Sequence, residues 1–127
     1  MRALVIDDSR TMRSILKRIL AEVGFEVVEA GDGQQALEIL EQGPLPAICL
    51  IDWNMPVMDG YTFVTRVRAV SEWRNITLMM VTTESSHSNI VKALAAGAHE
   101  YVIKPFTADA IIEKLELLGL VRDGVPA

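Results

Sequence analysis

Short apolar runs alternate with longer segments of helical period along the whole chain, and this alternation constrains the fold more than any other feature. Three of the runs are Ala3 to Ile6, Ile48 to Ile51 and Leu78 to Val81, and Phe25 to Glu29 and Tyr101 to Ile103 complete a set of five candidate strands. Each is followed by apolar residues spaced at intervals of three and four, as on one face of an α-helix. Near-continuous apolar strands are buried on both sides, so the pattern predicts an α/β fold with a parallel sheet between helices.

The five predicted helices follow the five strands in turn. They extend over Met12 to Val23, Gln34 to Leu40, Tyr61 to Val70, Ser88 to Ala96 and Ala108 to Leu118. We expect the third helix to face inwards through Phe63, Val64 and Val67, and the fourth through Ile90, Val91, Leu94 and Ala95.

The length of 127 residues, with 50% hydrophobic composition, fits one domain and is too short for two. We expect this domain over residues 1–120, followed by a short tail at 121–127. A net charge of −5 argues against nucleic acid or an anionic membrane surface as partner. We expect neither a signal peptide nor a membrane span, because the first residues have only a short apolar stretch and no run reaches about eighteen apolar residues. Its single cysteine, Cys49, has no disulfide partner within the chain. We therefore expect a cytoplasmic monomer.

Polar residues follow four of the five predicted strands, at the edge where open α/β sheets place their binding sites. Strand one is followed by Asp7 and Asp8, strand three by Asp52, strand four by Thr82 and strand five by Lys104. The second strand brings no comparable group, which suits an edge position away from the site. If the other four strands are neighbours, three carboxylates, a hydroxyl and an ammonium group meet at one edge.

Three neighbouring carboxylates repel one another, because two unit charges ~4 Å apart interact by roughly 4 kcal/mol at an effective dielectric constant near 20. The cluster therefore requires protonation, a bound cation or both, and its oxygen ligands suit Mg²⁺. The sequence predicts a Mg²⁺ site at Asp7, Asp8 and Asp52, with a further oxygen from a backbone carbonyl in the following loop. Asp52 has two possible roles, as a ligand only or as a nucleophile towards a phosphoryl group, and the layout favours the second.

Four segments at matching spacing resemble the receiver domain of response regulators, of the CheY type. They are VIDDSRTMR, DWNMPVMDG, MVTTE and YVIKPF, and the match extends over almost the whole chain. The second and fourth resemble the chemotaxis branch more than receivers that carry a DNA-binding domain. The resemblance implies a five-stranded, doubly wound parallel sheet of order 2-1-3-4-5, as in flavodoxin-like and CheY-like folds. It also implies a protein that is not an enzyme in the metabolic sense, because it catalyses only its own phosphorylation and dephosphorylation.

Carried over residue by residue, the resemblance makes Asp52 the phosphoacceptor. Asp7, Asp8 and Asp52, together with the backbone carbonyl of Asn54, become the Mg²⁺ ligands. Lys104 becomes a catalytic cation that contacts the phosphoryl group.

The remaining roles also come only from this resemblance. Thr82 is the catalytic hydroxyl and forms a switch pair with Tyr101, which moves inwards as the hydroxyl is drawn towards the phosphate. Asn54 and Glu84 lie two residues beyond Asp52 and Thr82, like the pair found in regulators with fast self-dephosphorylation.

The sequence also supports minor predictions for several residues in and near these motifs. Thr83 replaces a residue that is usually small in the family, so its bulk could narrow access to the pocket. Val57 is ordinary variation, and the family implies a cis peptide bond between Lys104 and Pro105. His87 and His99 lack metal-ligand spacing and are expected on the surface.

The predicted function is that of a single-domain response regulator of a two-component phosphorelay. A histidine kinase donates the phosphoryl group, and a target binds the face formed by helix four, strand five and helix five; the flagellar motor switch is one candidate. The alternative is a Mg²⁺-dependent aspartyl-phosphate hydrolase acting on small molecules. Such enzymes generally carry a second carboxylate where this chain has Asn54. A flavin-binding module is a third possibility, although Asp7 and Asp8 would repel its phosphate.

Overall fold

Five parallel strands form the central sheet of the computed structural model, which describes residues 1–127 throughout. They are β1 (Arg2–Ile6), β2 (Glu26–Ala30), β3 (Ile48–Ile51), β4 (Thr77–Thr82) and β5 (Glu100–Ile103). Their order across the sheet is β2-β1-β3-β4-β5, which confirms the predicted topology. The edge strands are therefore β2 and β5, and the four strands with polar carboxyl ends are neighbours.

Five helices cover the two faces of the sheet. They are α1 (Arg10–Glu22), α2 (Gly33–Gln42), α3 (Gly60–Arg68), α4 (His87–Ala96) and α5 (Ala108–Leu117). Buried side chains of α1 and α5 share one apolar cluster, and those of α2, α3 and α4 share the other. The free edge of β5 thus lies between α4 on one face and α5 on the other. No helix combines the length and apolar character that crossing a bilayer needs.

Each helix begins directly after a polar side chain that caps its first turn. The five capping residues are Ser9, Asp32, Asp59, Ser86 and Thr107. A cap accepts a main-chain N–H that would otherwise lack a partner, so these residues determine where the helices start. The helices begin at the predicted positions or up to two residues earlier. The prediction started each helix from its apolar periodicity, which the polar first turns lack.

The predicted inward face of α4 is wrong, whereas that of α3 is confirmed. Val91 is 51% exposed and Leu94 is 43% exposed, while the fully buried residue of α4 is Ala93. Apolar residues occupy positions 90, 91 and 93–96, so they surround most of this helix and its periodicity does not select one face. Packing selects the face with the small alanine, and two larger apolar side chains remain in contact with solvent.

The tail at residues 121–127 folds back as a two-stranded hairpin, β6 (Val121–Arg122) and β7 (Val125–Pro126). Asp123 and Gly124 form its turn with φ values of 54° and 78°, which an Asp-Gly pair tolerates well. The structure also contains the expected cis bond between Lys104 and Pro105, and a second one at Gly43-Pro44 that the sequence did not predict.

Arg68, at the end of α3, connects the segments before β4 and β5. Its Nε and Nη2 donate to the Gly97 carbonyl at 3.1 and 3.0 Å, and Nη2 also donates to the Ile76 carbonyl at 2.9 Å. His99 lies on the surface, as predicted. Its Nδ1 accepts the Leu78 N–H at 3.2 Å, and its main-chain N–H donates to the Leu78 carbonyl at 2.8 Å. The ring of His99 therefore continues the pairing of β4 and β5 in its neutral form.

We expect His99 to make the free energy of unfolding depend on pH. Partial burial of the ring, and secondarily the charge of Arg68, lower the pKa of His99 below its ordinary value of 6.5. The unfolded chain therefore binds this proton first, and stability falls as the pH drops below about 6.5. His99→Asn offers an oxygen near the Nδ1 position but does not titrate. Urea unfolding at about pH 7.5 and about pH 5.5 should show a smaller loss in the variant. Equal losses in the two proteins would contradict this role.

Candidate functional site

The carboxyl ends of β1 and β3 bring the predicted acids together at one edge of the sheet. Ile6 and Ile51 are in register on these neighbouring strands, so Asp7 and Asp52 follow at the same level. Carboxylate oxygens of Asp7, Asp8 and Asp52 lie within 4.8 Å of one another. The structure therefore forms the acid cluster that the sequence predicts.

Asp7 is held by protein contacts on every side. It is 1% exposed, and its Oδ1 accepts the Ser9 N–H at 2.9 Å while its Oδ2 lies 2.8 Å from Lys104 Nζ. Its main-chain N–H donates to the Ala30 carbonyl at 3.1 Å, and its own carbonyl accepts from Arg13 Nη1 at 2.6 Å. Both the backbone and the carboxylate of Asp7 are thus fixed by the fold.

Asp52 and Asp8 are held much less firmly. Asp52 is 8% exposed, with Oδ2 at 3.6 Å from Lys104 Nζ and Oδ1 accepting the Asn54 N–H at a long 3.4 Å. Asp8 is exposed, and its carboxylate takes part in no hydrogen bond or ion pair with the protein. The main-chain carbonyl of Asn54 also accepts no hydrogen bond from the protein.

These oxygen atoms fit a hard divalent cation. A single ammonium group, that of Lys104, cannot neutralise three carboxylates at this separation, so the cluster retains an excess of negative charge. The free oxygens of Asp8 and Asn54 are ligands of the type that Mg²⁺ prefers, and an ion with several water ligands needs only a few of them. The residues present therefore fit the predicted Mg²⁺ site.

The two predicted switch residues are connected through the main chain of Glu84. Thr82 is fully buried, and its Oγ1 accepts the Glu84 N–H at 3.2 Å. The Tyr101 hydroxyl donates to the Glu84 carbonyl at 2.6 Å, and its ring packs against the core. Burial, followed by the charges of Glu84 and Asp52, raises the pKa of Tyr101 to about 12. A movement of the Thr82 hydroxyl would therefore disturb a segment that also holds Tyr101.

The carboxylate of Glu84 points to the start of α4. It accepts the Ser86 N–H at 3.2 Å, and hydrogen bonds from Asn89 and then Ser86 lower the pKa of Glu84. Neighbouring Thr83 is exposed. In this structure the Glu84 carboxylate therefore bonds to α4 and not to the acid cluster.

An aromatic stack next to Asp52 was not foreseen from the sequence. The rings of Trp53 and Tyr61 have centroids 5.5 Å apart and an interplanar angle of 15°, and Lys92 Nζ lies 4.4 Å from the Tyr61 centroid. Lys92 belongs to α4, so the stack connects the loop after β3 to that helix through stacking and cation–π contacts. The sequence did not indicate a role for Tyr61, because this residue lies outside the set of regularly spaced apolar residues of α3.

A groove of about 660 Å³ has Asp8 and four residues of α1 among its lining residues. None of its lining residues is hydrophobic: they are Asp8, Arg10, Arg13, Ser14, Lys17, Glu29, Gly31 and Gln35. The acid cluster is therefore open to water and ions on the side of α1.

The loop after Asp52 turns sharply at Val57. Val57 has a φ of 69°, and the Met58 N–H donates to the Pro56 carbonyl at 2.7 Å across it, which is the hydrogen bond of a γ-turn. A β-branched residue rarely adopts positive φ, since its side chain then crowds the backbone. In the sequence Val57 is ordinary variation in the loop, and nothing there predicts this strained backbone conformation.

We expect replacement of Val57 by asparagine to stabilise the protein by about 1 kcal/mol, because asparagine tolerates positive φ. The 81% exposed valine side chain contributes little by burial, so its removal should cost little. Val57→Thr is the matched control, since it removes apolar surface but retains the β-branch. Urea unfolding should show a gain for Val57→Asn and none for Val57→Thr. A similar gain in both variants would rule out strain as the cause.

Comparison with protein families finds a match over residues 3–116 to the response regulator receiver domain. Among curated proteins, the chain is 42% identical to the chemotaxis protein CheY1 of Helicobacter pylori, over 93% of this chain and 96% of that protein. It is 41% identical to the chemotaxis protein CheY of Pseudomonas aeruginosa, over 91% and 94% of the two chains.

Solved structures show the same relationship. The chemotaxis protein CheY4 of Vibrio cholerae superimposes with a TM-score of 0.84 at 33% identity, over 91% of this chain and 96% of that chain. A putative response regulator from Chloroflexus aurantiacus gives a TM-score of 0.86 at 29% identity, over 92% and 95%. Both comparisons extend over nearly the full length of the fold described above.

Proposed function

The chain belongs to the response regulator receiver domain family, whose members are signalling proteins, and we propose that it is a single-domain regulator of chemotaxis that accepts a phosphoryl group on Asp52. The observation that carries the proposal is the position of Asp52, whose Oδ2 lies 3.6 Å from Lys104 Nζ and whose carboxylate lies within 4.8 Å of those of Asp7 and Asp8. Four separate strand ends supply these groups and Thr82. The curated relatives named as chemotaxis proteins support the assignment to that pathway.

In the proposed reaction, an Asp52 carboxylate oxygen attacks the phosphorus of a phosphohistidine on a histidine kinase. The new O–P bond forms as the N–P bond breaks, and the leaving imidazole keeps the electron pair of that bond. Lys104, whose Nζ lies 3.6 Å from Asp52 Oδ2, is placed to contact the phosphoryl oxygens. Asp7, Asp8, Asp52 and the Asn54 carbonyl would hold Mg²⁺, which would supply the additional positive charge that these oxygens require. Hydrolysis of the acyl phosphate by water then resets the protein.

The proposed signal passes from the phosphoryl group to Tyr101 through Thr82 and Glu84. The Thr82 hydroxyl accepts from Glu84 but has its own proton available, and a phosphoryl oxygen is a strong acceptor for it. Movement of this hydroxyl would weaken its bond to the Glu84 N–H, on the same segment that holds Tyr101. The phosphorylated state thereby favours a different packing of Tyr101 at β5.

The partner face in this proposal is formed by α4, β5 and α5. Val91 and Leu94 of α4 and Ile103 of β5 are 51%, 43% and 42% exposed, and β5 leaves one edge unpaired. Exposed apolar side chains of this kind suit a protein target, and the flagellar motor switch is one candidate. In this role the protein acts as a monomer in the cytoplasm, where the kinase exposes its phosphohistidine. It binds neither nucleic acid nor membrane.

The alternative activity as a small-molecule hydrolase has little support. Asn54 lies where an aspartyl-phosphate hydrolase generally needs an acid or base, and an amide cannot transfer a proton in that way. Flavin binding is no better supported, because the exposed carboxylate of Asp8 would repel a phosphate group at that strand end.

Phosphorylation of Asp52 can be tested by intact mass after incubation with a small acyl phosphate and Mg²⁺. The parent protein should gain one phosphoryl group, and Asp52→Asn should gain none, because an amide cannot form the acyl phosphate. Asp59→Asn is the matched control, since Asp59 lies in the same loop and asparagine caps α3 equally well. Labelling of Asp52→Asn to the level of the parent would place the acceptor elsewhere.

A further inference from the structure

We propose that Arg13 positions the metal site by holding the peptide unit between Asp7 and Asp8. The proposal rests on the assignment of Asp7 and Asp8 as Mg²⁺ ligands. Arg13 lies on α1 with 17% of its side chain exposed, and its Nη1 donates to the Asp7 carbonyl at 2.6 Å. A hydrogen bond from a guanidinium to a carbonyl is charge-assisted, so it restrains the orientation of that carbonyl strongly.

Glu29, on β2, holds the guanidinium of Arg13 in this orientation. Arg13 Nε donates to Glu29 Oε1 at 3.3 Å, and the other oxygen of Glu29 lies 3.7 Å from Lys17 Nζ. A planar guanidinium that is bonded through both Nε and Nη1 has little freedom to rotate. Glu29 thus restrains the guanidinium of Arg13, and Arg13 in turn restrains the Asp7 carbonyl.

The restraint matters for Asp8 more than for Asp7. The Asp7 carbonyl and the Asp8 N–H belong to one planar peptide unit, so the orientation of this carbonyl also determines the direction in which the chain enters Asp8. The carboxylate of Asp7 has its own bonds to Ser9 and Lys104, whereas that of Asp8 has none. The position of the Asp8 carboxylate therefore depends on its backbone, which Arg13 holds.

Charge and positioning predict opposite effects when Arg13 is replaced. If Arg13 acted only by its positive charge, it would repel a divalent cation, and its loss would strengthen Mg²⁺ binding. If Arg13 positions Asp8, its loss weakens binding. The sign of the change in Mg²⁺ affinity therefore distinguishes the two.

The test is a Mg²⁺ titration of the full chain by calorimetry, with Arg13→Met, which retains the length of the side chain but no donor. We expect binding about tenfold weaker, the lower end of the range for residues that orient metal ligands. Lys17→Met is the matched control, because it removes a positive charge from the same Glu29 without touching Asp7. Its affinity should stay equal to that of the parent or rise. In Arg13→Lys, one donor can still reach the Asp7 carbonyl, so its affinity should lie between parent and Arg13→Met.

A metal-free measurement provides an independent readout. The amide resonance of Asp8 should shift in Arg13→Met and stay in place in Lys17→Met when Mg²⁺ is absent. If Arg13→Met does not fold, Glu29→Gln releases the guanidinium more gently and should shift the amide resonance of Asp8 in the absence of Mg²⁺.

Two outcomes would overturn the inference, and they differ in meaning. Mg²⁺ binding by folded Arg13→Met that equals or exceeds that of the parent would exclude the positioning role alone. Unchanged Mg²⁺ binding by Asp8→Asn would exclude Asp8 as a metal ligand, and with it the proposed role of Arg13.

Discussion

Electrostatic repulsion among three carboxylates is the constraint on which the rest of this structure depends. Asp7, Asp8 and Asp52 are held within 4.8 Å by strands that the hydrophobic core fixes in place, so the fold forces together charges that would otherwise separate. One ammonium group, that of Lys104, offsets only part of this repulsion. The excess of negative charge makes the site receptive to a divalent cation, as the proposed phosphoryl transfer to Asp52 requires.

Firm and loose contacts divide the site in a way that suits a switch. Asp7 is fixed through its backbone and both carboxylate oxygens. The carboxylate of Asp8 makes no hydrogen bond or ion pair with the protein, and that of Asp52 makes only long ones. Thr82 and Tyr101 are joined through the main chain of Glu84, each by one hydrogen bond. Because Asp7 is rigidly held and the Glu84 segment is held by few hydrogen bonds, a change of charge at the site can shift that segment without disturbing the core.

Two routes lead from the site towards α4. One passes through Glu84, whose carboxylate accepts the N–H of Ser86, the residue that caps this helix. The other passes through the stack of Trp53, Tyr61 and Lys92. The exposed apolar residues of α4 lie on the helix that both routes reach. The face proposed for partner binding is therefore physically connected to the residues beside Asp52.

The sequence by itself determined the five strands and helices, their parallel arrangement and the acids at the strand ends, because apolar periodicity and strand-end position are local properties. The residues of β3 were predicted without error, and the family resemblance supplied the strand order. The buried face of α4, the strain at Val57 and the contacts of Arg13 and His99 were decided only by tertiary structure. These features depend on which distant segments meet, as for Arg13 and Glu29, 16 residues apart. Packing between such segments overrides local preferences or selects among them.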